Sequence, residues 1–276
     1  MRWIFIFVIA LALSACKKGD TFPDVQITIE NTRVLAHRGG GTFEGTPNTF
    51  EAVVYGFEHY DGVEVDIQMS SNNTIWVSHD AYIEGCGSWA GGCFNTVSDD
   101  EIARIDSCSG YVHQYARLDE ILDYMQKHYP EKRISLDVKF FDGCSPSLFD
   151  INAMYRYYHA EFLQITAMLQ KYNLVDQTLI ESEITQFLDL FVETNQDYHE
   201  YLSIFDDFDK GTVTALQKKY DGISFKNDFA NSISADHINL VHQKGLRIQV
   251  WTTADSTQLA DIKKINPDYI QSEVFE

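Results

Sequence analysis

Apolar residues recur along this chain in two alternating rhythms. Short runs rich in Val, Ile, Leu and Phe fall at Arg33–Ala36, Gly62–Gln68, Thr74–His79, Arg133–Lys139, Gln177–Ser182, Tyr201–Phe205, Gly222–Phe225, Arg247–Trp251 and Asp268–Gln271, and they read as strands. Between them apolar positions lie three and four apart, which places them on one face of a helix. Leu118, Ile121, Leu122 and Met125 form one such stripe, Phe162, Ile165 and Leu169 another, and Leu259, Ile262 and Ile265 a third. Helices are expected over Asn48–His59 and Ala153–Tyr172. Gly62–Gln68 and Thr74–His79 are close enough to pair as a hairpin, leaving eight strands that alternate with helices. That order predicts an α/β fold, a (β/α)8 TIM barrel over residues 31–276. A doubly wound sheet is the second choice, but the chain has no glycine-rich phosphate loop of either usual type. Residues 81–116 break the alternation and read as a small cysteine-containing insertion after the second strand, capping one end of the barrel.

The start of the chain follows neither rhythm. Arg2 precedes the apolar run Trp3–Leu13, too short for a bilayer span of about 20 residues but suited to a signal peptide. The run ends in Leu13-Ser14-Ala15-Cys16, similar to a bacterial lipobox. Residues 1–15 are thus expected to be a lipoprotein signal peptide, Cys16 the lipidated residue and 16–30 a polar tether. The expected location is an exported, membrane-anchored lipoprotein, periplasmic or on the cell surface, held through the lipid alone. In an oxidising compartment Cys86, Cys93, Cys108 and Cys144 read as loop staples rather than a zinc site. The preferred pairing is Cys86 with Cys93, leaving Cys108 with Cys144.

Charge narrows the partners. The chain carries 21 Lys and Arg against 41 Asp and Glu, a formal charge of −20. Such a surface repels nucleic acid and anionic membrane, so neither is expected as a general ligand. A small anionic substrate would need a locally cationic or metal-filled pocket.

Reactive groups gather at the predicted strand ends, where barrel chemistry sits. The first strand runs into His37-Arg38-Gly39; the second holds Glu64-Val65-Asp66; its hairpin partner ends in His79-Asp80; the next barrel strand ends in Asp137-Val138-Lys139. Alternate strand residues share a face, so Glu64 pairs with Asp66 and Asp137 with Lys139. Buried charges are costly unless paired or bound to metal, and three converging carboxylates make a hard-oxygen site for one divalent metal, Ca²⁺ or Mg²⁺. Arg38 and Lys139 beside it suit a phosphate, and two histidines suit an acid and a base near neutral pH. These groups read as metal-assisted phosphodiester cleavage. Asp80 is expected to orient His79 or bind its loop, and Glu181 and Lys226 to be surface or rim groups, with a place in the pocket open to either.

His37-Arg38-Gly39, Asn48-Thr49 opening a helix, Glu64-Val65-Asp66 and Ile75-Trp76-Val77-Ser78-His79-Asp80 resemble the glycerophosphodiester phosphodiesterase family. Ser135-Leu136-Asp137-Val138-Lys139 and Gly245–Thr252 are similar to its third and seventh strands, so the resemblance spans about residues 33–271. It implies a barrel hydrolase releasing glycerol 3-phosphate and an alcohol. His37 would be the general base and His79 the general acid, exchanging roles if a cyclic phosphate forms. Arg38 and Lys139 would hold the phosphate, Glu64, Asp66 and Asp137 the metal, and Trp251 would wall the glycerol side. Three departures bear on the substrate: Thr46-Pro47-Asn48-Thr49 lacks the usual Glu, Asp137 stands where Glu is usual, and Gln271-Ser272-Glu273 replaces Thr-Asp. A phospholipase-D-like or phosphoinositide-lyase-like enzyme acting on intact lipid is the second reading, with Tyr82, Trp89 and Phe94 as an apolar rim. A non-catalytic lipid-anchored binding protein is the third.

Overall fold

The structure, a computed structural model, describes residues 31–83, 91–104, 115–139, 144, 150–194, 196–230 and 233–276. The expected signal peptide, Cys16, the tether, Cys86, Trp89 and Cys108 lie outside the described residues. The strands are β1 (Arg33–Ala36), β2 (Gly62–Met69), β3 (Ile75–Val77), β4 (Arg133–Val138), β5 (Thr178–Ser182), β6 (His199–Ile204), β7 (Gly222–Lys226), β8 (Arg247–Thr253) and β9 (Tyr269–Ser272). The helices are α1 (Phe50–His59), α2 (Asp99–Ile102), α3 (Leu118–His128), α4 (Ile151–Tyr172), α5 (Thr185–Val192), α6 (Phe208–Lys218), α7 (Asn227–Ala230), α8 (Ala235–Gln243) and α9 (Ser256–Lys264).

The sheet runs β1-β9-β8-β7-β6-β5-β4-β2-β3, and β1 also pairs with β2. That last pairing closes eight parallel strands into a TIM barrel, as the alternation predicts. β3 hangs on β2 as an antiparallel partner, with Gln68 opposite Trp76, so the expected hairpin forms.

Side chains divide between the two faces of the strands. Val63, Val65 and Ile67 of β2 join the cluster that packs the helices onto the barrel, together with Leu118, Ile121, Leu122 and Met125 of α3. Inside the barrel Leu35, Leu179, Tyr201 and Tyr269 make a separate apolar floor. Polar residues stand above it: Ser135, Glu181, Ser224, Gln249 and Gln271 are buried and bonded to one another. The floor seals one end of the barrel, and the chemistry is confined to the other.

Local devices set the first strand-to-helix turn. Thr49 caps α1, its side chain accepting from the Ala52 amide at 3.2 Å. Gly56 lets α1 approach closely, since a Cβ there would lie 1.9 Å from the Gly39 carbonyl oxygen. Any side chain at Gly56 would push α1 off the turn that carries His37 and Arg38.

The cysteine pairing differs from the expectation. Cys93 bonds Cys144, which excludes Cys86 with Cys93 and Cys108 with Cys144. The described part of the 81–116 segment folds back, through a bridge between Tyr82 and Cys93, and Phe94 is fully buried against Trp76, Ile83 and Val97. Cys93 therefore faces the β4–α4 connection rather than its own loop. Phe94 is core, not rim; Tyr82, about half exposed, is the one described member of the expected apolar rim that faces solvent.

Candidate active site

Register brings the charged strand ends together. Asp66 and Asp137 are direct neighbours across β2 and β4, and Glu64 lies two residues earlier on the same face of β2. One carboxylate oxygen from each of Glu64, Asp66 and Asp137 lies within 4.8 Å of the others. Glu64 and Asp66 are buried, while a quarter of the Asp137 side chain is exposed.

Cations and amides surround this triad. The Lys139 Nζ pairs with Asp66 Oδ1 at 2.7 Å and with Asp137 Oδ2. Arg38 Nε lies 3.6 Å from Asp66 Oδ2, and the Arg38 backbone N–H donates to Glu64 Oε2 at 2.8 Å. The second contact needs an unusual backbone: Arg38 takes φ 51°, ψ 38°, and Gly39 follows at φ 82°. Asn48 Nδ2 donates to Asp66 Oδ2 at 2.7 Å, and the Asp66 amide returns a 3.3 Å bond to Asn48 Oδ1. Asn48, expected only to open α1, thus fixes the central carboxylate.

Electrostatics follow from this crowding. Burial, then Asp66 and Asp137, push the Glu64 carboxyl well above its ordinary value. Burial also raises Asp137, against the pull of Lys139. Asp66 is held low in spite of burial, because Lys139, His79 and Asn48 favour its charged form. Lys139 is raised, the three carboxylates outweighing its own burial. Three crowded carboxylates, two of them buried, against one ammonium and one guanidinium suit a hard divalent cation held by Glu64, Asp66 and Asp137.

Each histidine is gripped at Nδ1 by a carboxylate. His79 Nδ1 lies 2.8 Å from Asp80 Oδ1, and His37 Nδ1 2.5 Å from Glu273 Oε1. His37 Nε2 is 3.9 Å from Glu64 Oε2 and so points into the triad. Gln68, inside the barrel, donates to the carbonyls of Ser78 at 2.9 Å and Asp80 at 2.6 Å, fixing the segment that carries His79. A small cavity of about 70 Å³ is lined by Arg38, Asn48, His79 and Tyr115 among others. A larger one, about 460 Å³, lies beside α6 with Glu183, Phe205 and Lys210 and contains none of the triad. The small cavity brings Arg38 and Asn48, both in contact with Asp66, next to His79.

His37, Arg38, Glu64, Asp66, Asp137 and Lys139 therefore meet through direct contacts, with His79 beside Arg38 across the small cavity. Trp251 stands apart from them on β8, half-buried, with its ring edge-on to Phe205 at 5.5 Å between centroids. Glu181 is not a rim group. It is 2% exposed, accepting from Ser203, Ser224, Gln249 and Gln271 beneath the triad. Burial and then Asp137 push its carboxyl up to about 8. Lys226 is exposed and pairs with Asp228. Nothing in the spacing of the sequence singled out Gln68 or the Glu273 contact; the latter was legible only as the neighbour of His37 once β9 was paired with β1.

Fold and site together define a TIM-barrel enzyme with its reactive groups at the C-terminal strand ends. Residues 37–271 match the model of the Glycerophosphoryl diester phosphodiesterase family. The chain belongs to that family, and it is a phosphodiester hydrolase. Among solved structures it is similar to a glycerophosphodiester phosphodiesterase from Parabacteroides distasonis (TM-score 0.72, 18% identity, 89% of this chain and 94% of that one). A glycerophosphodiester phosphodiesterase from Thermotoga maritima gives TM-score 0.67 at 17% identity over 90% of this chain and 96% of that one. An Oleispira antarctica phosphodiesterase in complex with the product sn-glycerol-3-phosphate gives 0.68 at 15% identity, covering 87% and 92%. The Urease accessory protein UreD of Streptococcus thermophilus is 26% identical over 233 residues, covering 82% of this chain and 74% of that protein. At that identity its name does not carry over, whereas the family match covers every strand-end group described above save Glu273.

Proposed function

We propose that this protein hydrolyses glycerophosphodiesters to glycerol 3-phosphate and an alcohol, with one divalent metal and two histidines. The observation that carries the reading is the convergence of three carboxylates, two cations and a carboxylate-bound imidazole within contact distance at one barrel mouth. The Oleispira antarctica relative, described with sn-glycerol-3-phosphate as product, supports the substrate class.

Glu64, Asp66 and Asp137 would hold the metal, Ca²⁺ or Mg²⁺. When bound, it supplies Lewis-acid polarisation of the phosphoryl oxygens and neutralises charge developing there. Arg38 and Lys139 bind and orient the phosphate from its other sides. His37 takes the proton from the attacking hydroxyl, either water or the glycerol 2-hydroxyl. The bond from phosphorus to the alcohol oxygen breaks, and His79 gives that oxygen its proton. If a cyclic phosphate forms first, the two histidines exchange roles for its hydrolysis by water. Trp251 walls the glycerol side.

The same reading places the protein outside the cytoplasmic membrane, anchored by a lipid on Cys16. There deacylated phospholipids are the expected substrates. Both histidines, Arg38 and the triad are all present, so the non-catalytic alternative has no supporting observation. The lipid-acting alternative loses Phe94 from its rim.

The test is release of glycerol 3-phosphate from glycerophosphocholine and glycerophosphoethanolamine by protein lacking residues 1–16. It is run with Ca²⁺, Mg²⁺ or chelator, beside His37→Ala. Metal-dependent release, reduced roughly 10²- to 10⁴-fold by His37→Ala, is expected. No release by folded, metal-binding protein would overturn the reading.

A further inference from the structure

We propose that Glu273 is a positioning residue for His37. It fixes the ring and its tautomer so that Nε2 faces the reacting hydroxyl. The inference deepens the reading above and rests on it for the role of His37.

Three observations lead there. First, β1 and β9 are parallel neighbours in the register Ala36 to Ser272, so the residues that leave them, His37 and Glu273, emerge side by side. Second, the backbone around Glu273 is pinned. Its N–H donates to the Thr253 carbonyl at 2.8 Å, and the Val274 N–H donates to Ser272 Oγ at 3.0 Å. Phe275 also packs edge-on against Tyr60 at 5.4 Å. Its carboxylate therefore reaches the imidazole from a fixed base. Third, the contact is to Nδ1, at 2.5 Å, while Nε2 lies on the triad side of the ring.

The chemical consequence is specific. A neutral imidazole carries one N–H, and a carboxylate accepting from Nδ1 holds that proton there. Nε2 then keeps its lone pair and can take a proton from a hydroxyl in the site. The Nε2–H tautomer, which Glu273 disfavours, has no lone pair at Nε2 and cannot act as the base. Asp80 grips His79 at the same ring atom, so both imidazoles present the same nitrogen to the phosphate. The Glu273 carboxylate lies outside the triad and contacts the His37 ring, so it would act through His37.

The experiment compares wild type with Glu273→Ala, Glu273→Gln and Glu273→Asp, each ¹⁵N-labelled at histidine and assigned against His37→Ala. Ring-nitrogen spectra are recorded at pH 8 with and without Ca²⁺, next to kcat and KM for glycerophosphoethanolamine. Wild type is expected to show His37 protonated at Nδ1. Glu273→Ala should shift it towards the Nε2–H form and lower kcat roughly 10- to 100-fold, the usual cost of losing a group that orients a functional histidine. KM should move less than about threefold, because phosphate and metal contacts are untouched. Glu273→Gln keeps an acceptor oxygen and should recover most of the rate and the wild-type tautomer. If Glu273→Ala leaves both the His37 spectrum and kcat within about twofold of wild type, the proposal is overturned. If wild type hydrolyses no glycerophosphodiester, the substrate reading fails separately, and the tautomer of His37 still decides the role of Glu273. Should Glu273→Ala fold poorly, Glu273→Gln against Glu273→Asp, which withdraws the oxygen by one methylene, makes the same comparison.

Discussion

A lone buried carboxyl, Glu181, and a carboxylate triad sit on adjoining strands of one barrel, and their surroundings differ. Glu181 accepts from Ser224 Oγ at 2.6 Å, Gln271 Nε2 at 2.8 Å, Ser203 Oγ at 3.2 Å and the Gln249 amide. One carboxyl, pushed up to about 8 by burial and Asp137 and so largely protonated near neutral pH, is met by four neutral partners. Asp137, its neighbour across β4 and β5, belongs to the opposite kind of set, in which three carboxylates share Lys139, Arg38 and one Asn amide. Neutral dipoles can satisfy a single buried carboxylate, but three within 4.8 Å repel one another and leave attraction over for a cation. Of the lone acid and the triad, the triad, short of protein partners, is the candidate for binding.

The strongest way to break this comparison is Glu64→Gln. The change keeps shape and removes one charge from the triad, so glycerol 3-phosphate release should fall roughly a thousandfold, the several kcal/mol a polarising metal supplies. Stability should move the other way. Burial and two neighbouring carboxylates disfavour the ionised form of Glu64, so in chelator at pH 8 the variant should melt above wild type. Full activity, or a lower melting temperature in chelator, would show that the triad is structural rather than a metal site.

The comparison is sharpened by the Cys93–Cys144 disulfide, which spans 51 residues of chain. It ties the segment following His79 to the connection following Lys139, and so joins two walls of the triad side. Among the described residues no disulfide reaches the strands around Glu181. Closing a loop of that size contributes at most about 4 kcal/mol, and commonly 2–4 kcal/mol. Cys93→Ser with Cys144→Ser should lower the urea midpoint accordingly and reduce kcat several-fold, with the metal affinity little changed. Equal stability and activity in the oxidised and doubly substituted proteins would mean that the strands alone hold the site.

How far this was legible in the sequence depended on the range of the interactions involved. The barrel followed from period-two and period-3.6 patterns, and Glu64, Asp66, Asp137 and Lys139 from alternation along two strands, all of them local signals. Phe94 illustrates the limit. Its Gly-rich surroundings read as an exposed cap, yet the segment folds against Trp76 and buries the ring. The cysteine pairing failed for a related reason, since the short Cys86–Cys93 loop looked easiest to close while Cys93 in fact meets a residue beyond β4. Glu181 resembled a rim group because charged residues near strand ends usually are. Its four donors come from β6, β7, β8 and β9, a convergence that exists only after the barrel closes. Glu273 is the same case at the other edge, placed beside His37 by the β1–β9 pairing.

A third buried acid gives the smallest expected effect and the sharpest control. Glu200 alternates with Tyr201 on β6, so it faces away from the interior, 3% exposed, with Oε1 lacking any hydrogen-bond partner. Burial, then Asp221, push its carboxyl from its ordinary 4.5 up to about 8. A carboxyl raised on folding holds its proton more tightly in the folded state. Its stabilising contribution is therefore complete below about pH 4.5 and is lost as pH rises towards 8. Urea unfolding in chelator at pH 5, 6.5 and 8 should show wild type losing on the order of 1–2 kcal/mol through this group, a part of the full linkage value since water reaches such sites. Glu200→Gln should remove this group's share of the decline, with Glu181 and the triad, whose carboxyls are also raised, supplying the rest, and leave glycerol 3-phosphate release unchanged. A variant that keeps the wild-type decline would assign it to Glu181 or the triad instead. In that case the four neutral donors around Glu181 do less to offset its burial than the contrast with the triad requires.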